Sequence, residues 1–90
     1  MFTAFSAAKG AQRNLTQSLA RSFGPQGIHV ALIIIDGVID IPRTREMMPD
    51  KPDEFFLQPL AIAESVYQLT QQDSSAWTFE LDLRPGSENW

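Results

Sequence analysis

Between Thr3 and Phe23 the apolar residues Ala4, Ala8, Ala11, Leu15, Leu19 and Phe23 recur at spacings of four and three, the repeat of one helix face. The spacing predicts a helix over 3–23, about 30 Å long at 1.5 Å per residue. Thr3 is its expected N-cap, Gly24 its left-handed C-cap and Pro25 its stop. The run Ser6-Ala7-Ala8-Lys9-Gly10-Ala11 is small-sided, which lets a neighbouring helix, sheet or ligand approach closely. Gly24-Pro25-Gln26-Gly27 then makes a short link into a different pattern. From Ile28 to Ile35 only His29 is polar, and β-branched residues dominate. That reads as a strand buried on both faces, the kind found inside parallel sheets whose two sides are covered by helices. Asp36-Gly37 marks a sharp turn at its carboxyl end, the edge at which open α/β sheets bind ligands.

The pattern weakens after Gly37. Val38 to Pro42 reads as an irregular strand exit and Arg43 to Met48 as a single helical turn. Pro49 to Glu54, with its prolines and charges, reads as a surface loop, either a lid or a solvated connection. Pro59 suits the first position of a second helix, with Leu60, Ala63, Val66, Tyr67 and Thr70 as its inward stripe. Asp73-Ser74-Ser75 breaks that helix. Trp77, Phe79, Leu81 and Leu83 then alternate with Thr78, Glu80 and Asp82, the period of a strand with one face covered, and Pro85-Gly86 ends it. The resulting order is helix, strand, helix, strand, with the strands expected to be parallel and joined by a right-handed crossover. A strand buried on both faces needs a neighbour on each edge, and only one other strand is expected. Residues 1–90 therefore read as one segment, the C-terminal part of a larger α/β domain, incomplete as an independent unit.

Composition narrows the functional classes. With 7 basic and 11 acidic residues, a net charge of -4 and no cluster of Lys or Arg, a nucleic-acid surface is not expected. The absence of cysteine removes disulfides, thiolate metal sites and cysteine nucleophiles, and Asp36 and Asp40 lack metal-loop spacing. No apolar run reaches the roughly 18 residues of a membrane span, and no signal peptide opens the chain. The expected location is cytoplasmic, with no membrane partner. His29, at the entry of the first strand, is expected to be structural or solvent-facing, and Tyr67 to be a packed aromatic.

Four stretches in series resemble the short-chain dehydrogenase/reductase family. Phe5-Ser6-Ala7-Ala8-Lys9 looks like that family's Tyr-x-x-x-Lys helix with phenylalanine in place of tyrosine, and Asn14 to Arg21 is similar to its continuation. Gly27-Ile28-His29-Val30 running into Asp36-Gly37-Val38-Ile39 resembles the penultimate strand and its Pro-Gly-x-Val exit, with Asp36 where proline is common. Leu60 to Glu64 and Trp77 to Leu83 match the last helix and last strand. The resemblance implies the C-terminal part of a Rossmann-like doubly wound parallel sheet, and hydride transfer between NAD or NADP and a carbonyl or hydroxyl carbon.

By that resemblance Lys9 would hold the nicotinamide ribose and lower the pKa of a phenol at position 5 that acts as the acid or base. Phe5 has no ionisable proton, and neither Ser6 nor Thr3 is activated to replace it. The Asp36, Gly37, Val38 and Ile39 segment would contact the nicotinamide end, with Ile41 standing where a cofactor-touching threonine is common. Arg43 and Arg45 are either solvated or near a cofactor phosphate. No glycine-rich phosphate turn occurs in these residues, so no dinucleotide is expected to bind to this chain alone. The rival expectation is a non-enzymatic module. It would form a homo-oligomer, or join a full-length paralogue, through the 3–23 helix, as family members pair through a four-helix interface.

Overall fold

The computed structural model describes residues 2–88 as a mixture of helices and short parallel strands. Helix α1 spans Phe2–Phe23, so Thr3 lies inside it rather than capping it. Instead of a left-handed residue at Gly24, the chain tightens into a 3₁₀ turn over Gly24–Gln26, which the fixed φ of Pro25 favours. The left-handed conformation falls at Gly27, with φ 83°, where no Cβ stands in the way.

Strand β1 is Leu32–Ile35 and β4 is Glu80–Leu83, and they form a two-stranded sheet. The Leu32 N–H donates to the Phe79 carbonyl at 2.7 Å and the Asp36 N–H to the Leu83 carbonyl at 2.8 Å. Both strands advance together between these rungs, so they run parallel, as expected. Strand β2, Val38–Ile39, pairs in parallel with β3, Phe56–Leu57, in the register Val38↔Phe56 and Ile39↔Leu57. Between them runs helix α2, Pro42–Met47, a connection of the length that parallel neighbours require. Helix α3, Pro59–Thr70, starts with Pro59 at its first turn. Asp73 caps a 3₁₀ turn over Ser74–Ala76 by accepting from the Ser75 N–H.

The chain divides into two compact units, Met1–Leu32 with Gln72–Leu81, and Ile33–Gln71 with Asp82–Trp90. In the first, α1 turns Arg13, Thr16, Gln17 and Ala20 toward cover and leaves its apolar line of Ala4, Ala8, Ala11, Leu15, Leu19 and Phe23 exposed. The covered face is chosen by polar partners: Arg13 donates from Nε to Glu80 Oε1 at 2.7 Å and its guanidinium lies 5.7 Å from the Phe79 ring centroid.

The second unit holds the core, formed by Phe56, Leu57 and Leu69. The α3 stripe expected to face inward is the exposed one: Leu60 is 86% exposed and Tyr67 61%, so Tyr67 is not a packed aromatic. Ile62, Ser65 and Leu69 face inward instead. Helix α3 is apolar around most of its circumference, so two stripes fit its period and packing selects between them.

Strand β1 also departs from expectation. It is shorter than the strand expected to start at Ile28, with Leu32, Ile33 and Ile34 half-buried and Ile35 exposed, because among the described residues β4 is its only paired neighbour. Ahead of it the chain is held by side chains rather than a ladder. His29 Nε2 bonds the Thr78 carbonyl at 2.7 Å, and its ring stacks on Trp77 with centroids 4.6 Å apart. His29 is therefore structural, and its Nε2 carries the proton in this bond.

Candidate functional site

The last rung between β1 and β4 delivers the chain to Asp36-Gly37 at the carboxyl ends of two parallel strands. No positive φ is needed at Gly37; proximity explains the residue. A Cβ there would stand 2.9 Å from Pro85 Cδ and 3.1 Å from Leu57 Cδ1, closer than packed carbons approach. With no side chain at 37, the segment after β4 lies against the segment after β1. Beside this contact is an open cleft of about 340 Å³ lined by Gly37, Val38, Phe55, Pro85, Ser87 and Glu88.

Two hydrogen bonds shape the rim of the cleft. The Glu88 N–H donates to the Pro85 carbonyl at 3.0 Å, closing a turn over 85–88. Ser87 donates from its hydroxyl to the Glu54 carbonyl at 2.8 Å, which fastens that turn to the 3₁₀ turn Asp53–Phe55 and sets Phe55 as one wall.

Of the residues named from the sequence, Gly37 and Val38 line the cleft. Asp36 points to Arg84, 3.7 Å away, with its side chain half exposed. Ile39 is held in the β2–β3 pair, and its carbonyl oxygen accepts from the Thr44 hydroxyl. Thr44 also accepts from the Ile41 N–H at 3.1 Å, so it fastens the start of α2 where Ile41, lacking a side-chain oxygen, cannot act as a cap. Phe5 and Lys9 belong to the other unit. They share one face of α1, with Lys9 Nζ 5.5 Å from the Phe5 ring centroid, and Phe5 is 59% exposed.

In the same unit Arg45 donates from all three guanidinium nitrogens. Its Nε and Nη2 donate to the two oxygens of Asp40 at 2.7 and 2.8 Å, and its Nη1 to Asp53 at 2.8 Å. The guanidinium lies 4.2 Å from the Phe56 ring centroid, a stacking geometry that planar arginine favours. Gln58 adds a fourth bond, to Asp40 Oδ2 at 2.8 Å. Bonding to Arg45, and then to Gln58, lowers the Asp40 carboxyl from 3.8 to about 2, and bonding to Asp40, and then to Asp53, raises the Arg45 guanidinium. A guanidinium committed on three nitrogens is a clasp for the loop after β2.

Phe55, Pro85, Ser87 and Glu88 escaped the sequence reading. The apolar run Phe55-Phe56-Leu57 between an acidic loop and Pro59 was a usable strand signal for β3, whereas nothing local tells that Pro85 to Glu88 lies beside Gly37. Among the described residues no group of three or more His, Asp or Glu is arranged to hold a metal ion, and no helix is long and apolar enough to cross a membrane. Compared with protein-family models, curated proteins and solved structures, the chain finds no match in any of the three.

Proposed function

We propose that this chain is the C-terminal part of a Rossmann-like, short-chain dehydrogenase/reductase-like domain, and that residues 1–90 alone do not transfer hydride. The supporting observation is the parallel β1–β4 pair, whose carboxyl edge carries Asp36-Gly37-Val38 beside a cleft of ligand dimensions. The nicotinamide cofactor would supply the hydride. Gly37, Val38 and the Ile39 backbone would border its ring end. The Ile39 carbonyl, already accepting from Thr44, retains one lone pair for a carboxamide. The residues present do not fit the pyrophosphate, because no glycine-rich phosphate turn occurs in the sequence. Phe5 also removes the proton-transfer group, a loss of about 10²- to 10⁴-fold in rate for such reactions.

Titration with reduced nicotinamide mononucleotide and with NADH or NADPH, followed through the backbone amides of Gly37, Val38 and Ile39, tests this reading. The expected result is weak and equal binding of mononucleotide and dinucleotide at those amides. No response to the mononucleotide would remove the dehydrogenase-like reading. A preference for the dinucleotide above about tenfold, or about 1.4 kcal/mol, would show a pyrophosphate site within these residues and overturn the misfit.

A second reading is favoured by α1, which has no buried residue and exposes Phe2, Phe5, Leu15, Leu19 and Phe23. In that reading the helix is an association surface for a second copy or a paralogue. Sedimentation of the chain and of Leu15→Asp/Leu19→Asp checks it: self-association abolished by the double substitution supports it, and a monomeric wild type counts against self-association.

A further inference from the structure

We propose that the cleft beside Gly37 binds a small apolar ring carrying a primary ammonium group, with Glu88 as the residue that selects the charge. The inference concerns the same sheet edge as the dehydrogenase-like reading but does not need it, because it rests on the walls and field of the cleft. Val38, Phe55 and Pro85 give it apolar sides. A volume of about 340 Å³ is at the small end of ligand pockets.

The polar groups are asymmetric. The Ser87 hydroxyl hydrogen is used by the Glu54 carbonyl, so at the rim Ser87 offers an acceptor, and Glu88 offers a carboxylate. The turn that the Glu88 N–H closes on Pro85 and the bond from Ser87 to Glu54 place the backbone of both residues at the cleft. The surrounding field has the same sign. The unit containing the cleft carries nine Asp and Glu against four Lys and Arg, whereas the other unit carries two against three. The unit containing the cleft thus carries a net charge of -5 and the other unit +1, and a cation is drawn to the first.

Three ring compounds of nearly equal size separate shape from charge: benzylammonium, benzyl alcohol and benzoate. With the full chain and amide shifts of Gly37, Val38, Phe55, Ser87 and Glu88 as the readout, benzylammonium binds about fivefold more tightly than the alcohol, the scale of one exposed ion pair, and benzoate does not bind. Raising the salt weakens only the ammonium compound. In Glu88→Gln the preference for ammonium over alcohol disappears while alcohol binding persists, which separates loss of charge selection from loss of the fold. In Ser87→Ala the preference falls as well, because the turn is no longer fastened to Glu54. Equal binding of the three compounds, an undiminished preference in Glu88→Gln, or no binding by any of them overturns the proposal. None of these outcomes bears on the mononucleotide titration, which reads the ring contacts at Gly37 to Ile39 without regard to Glu88.

Discussion

Met1–Leu32 with Gln72–Leu81 contains no buried residue among those described, whereas Ile33–Gln71 with Asp82–Trp90 contains Phe56, Leu57 and Leu69, the whole of the core. The first unit is assembled from side-chain contacts near the surface: Arg13 with Glu80, the His29–Trp77 stack, and Gln72 bonding both the hydroxyl and the N–H of Thr78 at 2.8 Å. The second places an apolar pair on β3, covers it with the Arg45 guanidinium and anchors that guanidinium with two carboxylates. Each unit uses ion pairs, but only in the second does an ion pair sit over buried apolar surface. Most of the cooperativity therefore belongs to the second unit, since exposed pairs contribute little and burial of apolar area contributes most.

The largest effect should come from removing the core. Phe56→Ala is expected to cost about 3–5 kcal/mol and to abolish amide protection throughout the second unit; protection that survives there would mean the core is not where the burial places it. Gly37→Ala should cost about 1–3 kcal/mol through overpacking, because the new methyl meets the rigid ring of Pro85 at 2.9 Å. The same variant should shift the amides that border the cleft, and a neutral outcome by thermal melting would show that the strand exits do not hold this approach.

Acid should separate the units next. The Asp40 carboxyl titrates at about 2 in the folded chain instead of 3.8. A depressed value means that its contribution is complete above 3.8 and disappears as the pH falls toward 2. Amide exchange in the second unit should therefore accelerate over that window, and Asp40→Asn should remove this part of the pH dependence. Asp73, lowered by its bonds to Ser75, gives the first unit a dependence of the same sign. The smallest effect is expected for Arg13→Gln, an exposed pair whose loss should leave the melting temperature unchanged while releasing the contact to Glu80 seen by side-chain NMR. A large loss of stability there would erase the distinction between the units.

Local patterns alone sufficed for α1, for the start of α3 at Pro59, for the alternation of Glu80, Leu81, Asp82 and Leu83, and for a change of direction at Gly37, which is a bend. Helical period, the missing N–H of proline and the period of two are properties of neighbouring residues, so they can be read without knowing what lies opposite. Two of the cleft's six lining residues were legible for the same reason: Gly37 and Val38 follow a strand, and strand ends are ligand edges. Which face of a helix is covered is a different kind of fact. The apolar line on α1 is real, yet Arg13 turns the opposite face toward Glu80 and Phe79; Leu60 and Tyr67 belong to a stripe as regular as that of Ile62 and Leu69, and only the second is covered. Likewise Arg45 became a clasp because Asp40, Asp53 and Gln58 converge on one place, and Glu88 reached the cleft because Ser87 found the carbonyl of Glu54. Those outcomes depend on groups distant in sequence meeting at bonding distance, and that is decided only when the chain closes on itself.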